Sequence, residues 1–382
     1  MKTSIIHAFF AIILVAAIGC KKDLTQSLNE SAELQSQMLP ADVQAEIDQA
    51  ILEIENDYNN PPSDGVVGNR AVVYVPAGSV DALQDAIDEA GWGGKVIVES
   101  GEHWESETVV IDHTVRIIGQ DGAKVYFNTI AASAKNEQGY VLTEAGFHVK
   151  NANHVWIKDL EIYPQQSTGS MAIWLEGGRM ARIEGNKISA FKYAIWLSDN
   201  SNAAGIYDNE IDGASQVTVW GITVESGKSV KIKGNHLDQC VVGIFLSDER
   251  SITKDNHVSN SVMGYLLCTV QGTIVKPDGE LLQPAISCAK AKLIRNNAQN
   301  NYWNYLVIDR AHHNFLVRNN ASNPGLYDVE IAGPTSRFGF PAPTSYSNFV
   351  VNPNTSVITK DCGVDNTVLG GTMVNNEEDP CF

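Results

Sequence analysis

The strongest constraint in this chain is a short pattern that returns between Ile183 and Ser322: an aliphatic residue, two residues, an asparagine, then an aliphatic residue two places on. It reads Ile183-Glu-Gly-Asn186-Lys-Ile188, Ile206-Tyr-Asp-Asn209-Glu-Ile211, Ile232-Lys-Gly-Asn235-His-Leu237 and Thr253-Lys-Asp-Asn256-His-Val258, with weaker copies at Ile294-Arg-Asn-Asn297 and Val317-Arg-Asn-Asn320. Subtracting positions gives asparagine steps of 23, 26, 21, 41 and 23 residues, and a period of that size marks a solenoid. A second series runs out of phase with the first: Ala172-Ile-Trp-Leu175, Ala194-Ile-Trp-Leu197, Gly221-Ile-Thr-Val224, Gly243-Ile-Phe-Leu246, Gly264-Tyr-Leu-Leu267 and Tyr305-Leu-Val-Ile308. These alternating runs, separated by Gly, Asn and Asp corners, are too short for helices, so each copy predicts one coil of a parallel β-helix. Coils stack ~4.8 Å apart, which turns equivalent positions into columns along the axis. The asparagines then form a structural ladder inside one corner, amide to amide and amide to turn backbone.

The chain ahead of the coils falls into distinct stretches. Met1 to Cys20 carries Lys2, an apolar run from Ile5 to Ile18 and small residues before the cysteine, the make-up of a secretory leader too short for an ordinary membrane span. Ala16-Ala17-Ile18-Gly19-Cys20 resembles a bacterial lipoprotein lipobox, which implies a mature chain beginning at a lipidated Cys20. Residues 20–70 are polar, with Val43, Ile47, Ile51 and Ile54 on one helical face, and read as a lipid-anchored tether containing a short amphipathic helix that either spaces or docks. Next come Val72-Val-Tyr-Val75, a helical pattern around Ala82 to Ala90, Gly93-Gly94-Lys95-Val-Ile-Val98, Thr108-Val-Val-Ile-Asp112 and Val115-Arg-Ile-Ile-Gly119.

This order resembles the N-terminal entry of the pectate-lyase-like superfamily. The resemblance implies a right-handed winding and a helix that closes the open edge of the first coil. The expected fold is all-β: a single-stranded right-handed parallel β-helix of nine or ten coils over 71–350, with an N-terminal capping helix, a signal peptide at 1–19 and a C-terminal cap at 351–382. One excursion, between Thr269 and Ser287, has a turn at Val275-Lys-Pro-Asp-Gly-Glu280 and reads as a loop or hairpin standing off the solenoid and walling a site. In an exported, oxidising setting, the remaining cysteines suggest Cys362 with Cys381 and Cys268 with Cys288, leaving Cys240 reduced in a corner.

The chain has 27 basic and 45 acidic residues and a net charge of −18, which argues against nucleic acid or an anionic membrane surface as the main partner. Aligning the second series puts Trp174, Trp196, Thr223, Phe245, Leu266 and Val307 in one outward column. Two positions on stand Glu176, Ser198, Glu225, Ser247, Cys268 and Asp309, with Asp199 and Asp248 at the turns. Rings of Trp174, Trp196 and Phe245 could stack on sugars, and Glu176, Asp199, Glu225, Asp248 and Asp309 are the candidate catalytic acids for a glycoside hydrolase or polysaccharide lyase. Glu176 with Asp199, or Asp199 with Asp248, has the coil spacing of an acid–base pair, and calcium is the one cofactor such carboxylates could hold. The plainer reading makes them solvated turn acids and covered tryptophans.

A second face aligns Lys158, Lys233, Lys254, Arg295 and Arg318, which suits either a uronate polymer or an ordinary soluble surface. His236 and His257 with Glu210 lack a clear third metal ligand. Ile111-Asp112-His113 is similar to a pectate-lyase motif but stands before the main coils, and Asp-Pro-His-Glu, Gly-His-Gly and Arg-Ile-Lys signatures of related enzymes are absent. The resulting expectation is a monomeric, lipid-anchored cell-envelope protein, placed in the outer membrane, that binds and cleaves or only binds a polysaccharide. It touches membrane through its anchor alone and has no nucleic-acid partner. The alternative is a non-catalytic scaffold, adhesion or maturation module for a protein partner.

Overall fold

The computed structural model describes residues 39–61, 70–129, 144–213, 219–267, 274–275, 281–282, 289–308, 311–333, 344–352 and 356–374. The leader, Cys20, Cys268, Cys288, Asp309 and Cys381 lie outside the described residues. Two compact units divide the chain, Met1–Asp48 and Gln49–Phe382. The described part of the first holds the opening turns of helix α1, Ala41–Asn59. The second holds the rest of α1 and every described strand.

Three long parallel sheets run through the second unit. Among the described residues sheet I has twelve strands, from Val72–Val75 to Thr367–Leu369; sheet II has nine, from Gly101–Glu105 to Asn320–Ser322; sheet III has eleven, from Val109–Ile111 to Thr372–Met373. From Gly101–Glu105 to Tyr327–Ile331 the described strands, Ile274–Val275 and Leu281–Leu282 apart, enter sheets II, III and I in turn. Twelve strands exceed the nine or ten coils expected, because the strands Phe349–Val351, Ile358–Asp361 and Thr367–Leu369 carry the stacking past residue 350.

The three-residue strands of sheets I and II each point one side chain, their middle residue, into the narrow interior. In sheet I the middle residues Ile183, Ile206, Ile232, Thr253, Leu293 and Leu316 stack in register and are buried. Burying each aliphatic side chain contributes about 1.5–3 kcal/mol. The small column Ala172, Ala194, Gly221, Gly243 and Gly264 marks where the chain turns tightly into sheet III: a Cβ on Gly243 would lie 2.3 Å from Val258 Cγ1.

The asparagine ladder exists, with a corrected membership. The backbone N–H and Nδ2 of Asn186 both donate to Asn209 Oδ1, each at 3.0 Å, and the same pair of bonds joins Asn209 to Asn235, Asn235 to Asn256 and Asn256 to Asn296. Asn296 continues to Asn319 at 2.9 and 3.1 Å. Asn297 and Asn320 are therefore one residue late: they stand in an outward column of sheet II, paired with His257 and with each other. The long step is 40 residues.

At the N-terminal end, helix α2, Leu83–Ala90, buries Leu83, Ala86, Ile87 and Ala90 in the main core. Glu105 accepts from the N–H groups of Ala82 and Leu83 at 3.2 and 3.1 Å, satisfying donors that a helix start leaves open. The strands Ile274–Val275 and Leu281–Leu282 pair antiparallel, giving the hairpin expected around 275–280. Cys240 is free and buried, whereas Cys362 is disulfide-bonded, to a partner outside the described residues.

Candidate functional site

The tryptophan column stands on the outer face of sheet III. Register carries it from His148 through Trp174 and Trp196 to Thr223, Phe245 and Leu266. Its next member is Leu306, because Leu266 pairs with Leu306 and Leu267 with Val307. Val307 is therefore in the core, and Ile308 falls in line with the acidic column; a one-residue slip exchanges the two faces of a strand.

The rings on this face are stacked on protein. His148 and Trp174 lie 4.2 Å apart between centroids, Trp174 and Trp196 5.4 Å, and Trp196 and Tyr193 5.5 Å. Trp174, Trp196 and Phe245 are 2%, 0% and 5% exposed. Both flat faces of Trp174 and Trp196 are thus occupied by neighbouring rings, and neither is open to a sugar. The indole of Trp174 donates to Ser198 Oγ at 2.8 Å and that of Trp196 to Glu225 Oε2 at 3.0 Å.

The candidate acids take structural partners here. Glu176 pairs with His148 at 2.7 Å. Burial pushes Glu225 up to about 7 against the pull of the Trp196 N–H, with the Asp199 charge adding to the rise. Burial likewise lifts Asp248 to about 7, although the Ser251 hydroxyl donates to it. Asp199 holds a left-handed corner at φ 50°. Glu225 and Asp248 are 4% and 2% exposed, so as placed they receive an indole and a hydroxyl proton rather than face a dissolved polymer. His236 and His257 stack at 4.7 Å, with His257 held by Asn297, and burial lowers the His257 pKa. Among the described residues no group of three or more His, Cys, Asp or Glu is arranged to hold a metal ion.

The lysine column is also shorter than the sequence alignment implies. Lys158, Glu184, Tyr207, Lys233, Lys254 and Ile294 are successive in sheet I. Arg295 and Arg318 lie one residue on, at left-handed corners, where Arg295 pairs with Asp255 at 2.8 Å.

An open groove of about 660 Å³ lies elsewhere, along the corner between sheets II and III. Its edge is a file of amides, Gln239, Asn260, Asn300 and Asn323, each at a left-handed corner with φ between 50° and 56°. Asparagine accepts that conformation more readily than most residues. Asn300 Nδ2 donates to Asn260 Oδ1 at 3.3 Å and Asn323 Nδ2 to Asn300 Oδ1 at 3.2 Å. Each amide has two donors and two lone pairs, so one internal bond of each kind leaves capacity for a ligand hydroxyl. Beside the amides, Val262 and Tyr302 are 42% and 47% exposed. The Tyr302 ring rests against Gly325, where a Cβ would lie 2.6 Å from Tyr302 Cδ2. Among the described residues that line the groove none is a carboxylate, amine or guanidinium, although the Asp238 carboxylate accepts from the Gln239 and Asn260 amides at 3.3 and 2.6 Å.

This file escaped sequence analysis, although a signal was present. Gln239, Asn260, Asn300 and Asn323 each stand four residues after a ladder asparagine, at 235, 256, 296 and 319. Earlier coils have Ala190 and Gly213 at that offset, so the amides are confined to the later ones.

Comparison with known proteins bears on the fold. Residues 98–276 match the family model described as a right handed beta helix region. Together with three all-parallel sheets of stacked coils, this decides the architecture. The chain is a right-handed parallel β-helix. No curated protein matches it. Similar solved structures include an endo-xylogalacturonan hydrolase from Aspergillus tubingensis, at 11% identity over 79% of this β-helix chain and 93% of that one, with a TM-score of 0.46. An alginate lyase from Paenibacillus sp. is 12% identical over 80% and 99% of the two chains, with a TM-score of 0.39. DFA-IIIase from Arthrobacter chlorophenolicus is 11% identical over 81% and 84%, with a TM-score of 0.44.

Proposed function

We propose that this β-helix binds a neutral polysaccharide along the corner groove between sheets II and III. The observation that carries the reading is the amide file beside half-exposed Tyr302, in a groove whose described lining has no ionised side chain. Amides at coil spacing meet the hydroxyls of successive sugars, and an aromatic edge gives apolar contact to a ring. None of its described lining residues is an acid or a base, which favours binding over cleavage. The tryptophan face does not serve this purpose, since its rings are stacked on one another.

A screen of the protein against a broad neutral-glycan array, with and without calcium, tests the proposal. Tyr302→Ala and the double substitution Asn260→Ala/Asn300→Ala are each expected to weaken binding about tenfold or more, and mass spectrometry of bound glycan is expected to show no product. Retained affinity in both variants, or silence across the array, would sink it.

Lipid anchoring in the outer membrane belongs to the same reading, supported by the lipobox-like run ending at Cys20. It predicts a diacylglyceryl mass on the mature N-terminus that Cys20→Ala abolishes; an unmodified N-terminus in the unaltered protein counts against it.

A further inference from the structure

The amide file beside the groove has a direction. Asn323 Nδ2 donates to Asn300 Oδ1 at 3.2 Å, Asn300 Nδ2 to Asn260 Oδ1 at 3.3 Å, and Asn260 Nδ2 to Asp238 Oδ1 at 2.6 Å. Gln239 Nε2 reaches the other oxygen of the same carboxylate at 3.3 Å. The amides of successive coils thus lead, directly or through one another, to one side chain that does not itself line the groove.

A head-to-tail file of amides can be satisfied in either direction, because each amide donates at one end and accepts at the other. The end of the file decides between the two. An ionised carboxylate only accepts, so Asn260 must turn its nitrogen toward Asp238. Its oxygen then faces Asn300, which must donate in turn, and Asn323 follows. The bond to Asp238 is short and charge-assisted, whereas the two amide–amide bonds are longer, lie between exposed residues and hold little by themselves. Dipoles aligned along such a chain strengthen one another.

Coil register places the carboxylate. Asp238 ends the strand His236–Asp238, whose middle residue Leu237 is buried in the core, so Asp238 points outward on sheet II. Its neighbours in register are Asp212 on one side and Ser259, Gln299 and Ser322 in succession on the other. Asp212 is followed by Gly213, which has no side-chain amide, and the three later residues carry no charge. The acid therefore stands at the coil where the amide file begins. Burial alone would raise its pKa, but hydrogen bonds from Ser259, Asn260 and Gln239, with the charge of His236, hold it below the ordinary carboxylate range.

We infer that Asp238 is a positioning residue for the groove: it sets the direction of the amide file and so fixes which donor and which acceptor each coil offers a ligand. The inference rests on the reading of the groove as a glycan site. With the file set one way, each asparagine keeps its second N–H and a lone pair in the same arrangement from coil to coil, and reversal would exchange them. Ordering the amides before the ligand arrives removes that cost from binding.

The test uses the full chain with nitrogen-15 in its asparagine side chains, observed by NMR first without any glycan. Asp238→Asn keeps the shape of the side chain but can donate as well as accept, so it frees the direction of the file. The side-chain amide signals are expected to move most at Asn260, less at Asn300 and least at Asn323. Asn296, in the buried ladder, should stay in place and report intact coils. Asp238→Glu keeps an acceptor-only end and should return the signals toward those of the unaltered protein. Ser259→Ala removes the other donor to Asp238 Oδ1, at 2.6 Å, and should leave Asn300 and Asn323 unmoved. Adding Asn300→Ala to Asp238→Asn breaks the file, so the response at Asn323 should vanish while that at Asn260 remains. On the neutral-glycan array Asp238→Asn should weaken binding about fivefold, with Asp238→Glu recovering most of the loss. Unmoved Asn300 and Asn323 signals in Asp238→Asn, an Asn323 response that survives Asn300→Ala, or undiminished affinity in Asp238→Asn would overturn the inference. Silence of every protein on the array, with the amide signals responding as expected, would refute the glycan reading and still support the ordering of the file by Asp238.

Discussion

Asn296 and Asn297 are chemically identical neighbours with opposite surroundings. Asn296 is fully buried: its Oδ1 accepts both donors of Asn256, and its Nδ2 reaches Thr253 O at 3.0 Å and Asn319 Oδ1 at 3.1 Å. Asn297 is half-buried on the outward column, touching the His257 ring at 2.7 Å and Asn320 at 3.2 Å, where water can replace either partner. Truncating Asn296 orphans several buried groups, and Asn296→Ala is expected to cost about 2–4 kcal/mol, against about 0.5–1 kcal/mol for Asn297→Ala. Urea midpoints at unchanged m-value measure the difference; equal losses would mean the ladder is drawn through the wrong residue. The sequence held the answer in its own rule of an apolar residue two places on. Ala298 follows Asn296 at that distance, whereas Gln299 follows Asn297, and Ala321 and Ser322 repeat the contrast for Asn319 and Asn320. Both asparagines have an aliphatic residue three places earlier, Leu293 and Ile294, so that criterion alone could not choose between them.

At the scale of elements, what was legible is what depends on neighbours in sequence. The strand middles, the helix within 20–70 and the helix near Ala82–Ala90 follow from local periodicity, and the structure has strands and helices there. What was illegible depends on contacts between distant elements. The pattern marks Trp174 and Trp196 as outward, but outward from a coil is not outward to water. Their ring partners come from neighbouring coils, and the acceptor for Trp196 is 29 residues away. The docking of α1 is of the same kind. Its carboxylates read as a polar helix face, and the lysines that meet Glu55 are 178 and 199 residues further on. The amide groove is intermediate: its residues are scattered, yet their constant offset from the ladder makes them one column once the coil register is known.

The whole molecule carries opposing proton linkages, and their balance can be measured. Burial raises Glu105, Glu225 and Asp248 to about 7 each, from ordinary values of 4.5, 4.5 and 3.8. In Glu105 burial outweighs the two α2 N–H bonds, which pull the other way. A carboxyl whose folded pKa is raised holds its proton more tightly in the native state. Its contribution is therefore complete below the unfolded pKa and lost as pH rises through about 7. Glu55 runs the other way: held at about 2, its contribution is present above 4.5 and lost as pH falls toward 2. The chain's net charge of −18 adds self-repulsion on the alkaline side. Stability should thus be greatest near pH 5 and decline toward pH 8, seen as a falling Tm in calorimetric scans. Glu225→Gln with Asp248→Asn keeps an acceptor oxygen for Trp196 and Ser251 but removes the charge that must be buried. At pH 8 the double variant should exceed the unaltered protein by on the order of 1–4 kcal/mol, and at pH 4 it should show no advantage. A variant whose Tm falls with pH as steeply as the unaltered protein would show that these two carboxyls are not where the pH dependence lies. Removing one charge from each of two adjacent coils makes the comparison a test of the solenoid itself, since neighbouring coils share their interfaces and a gain at one is felt by the next.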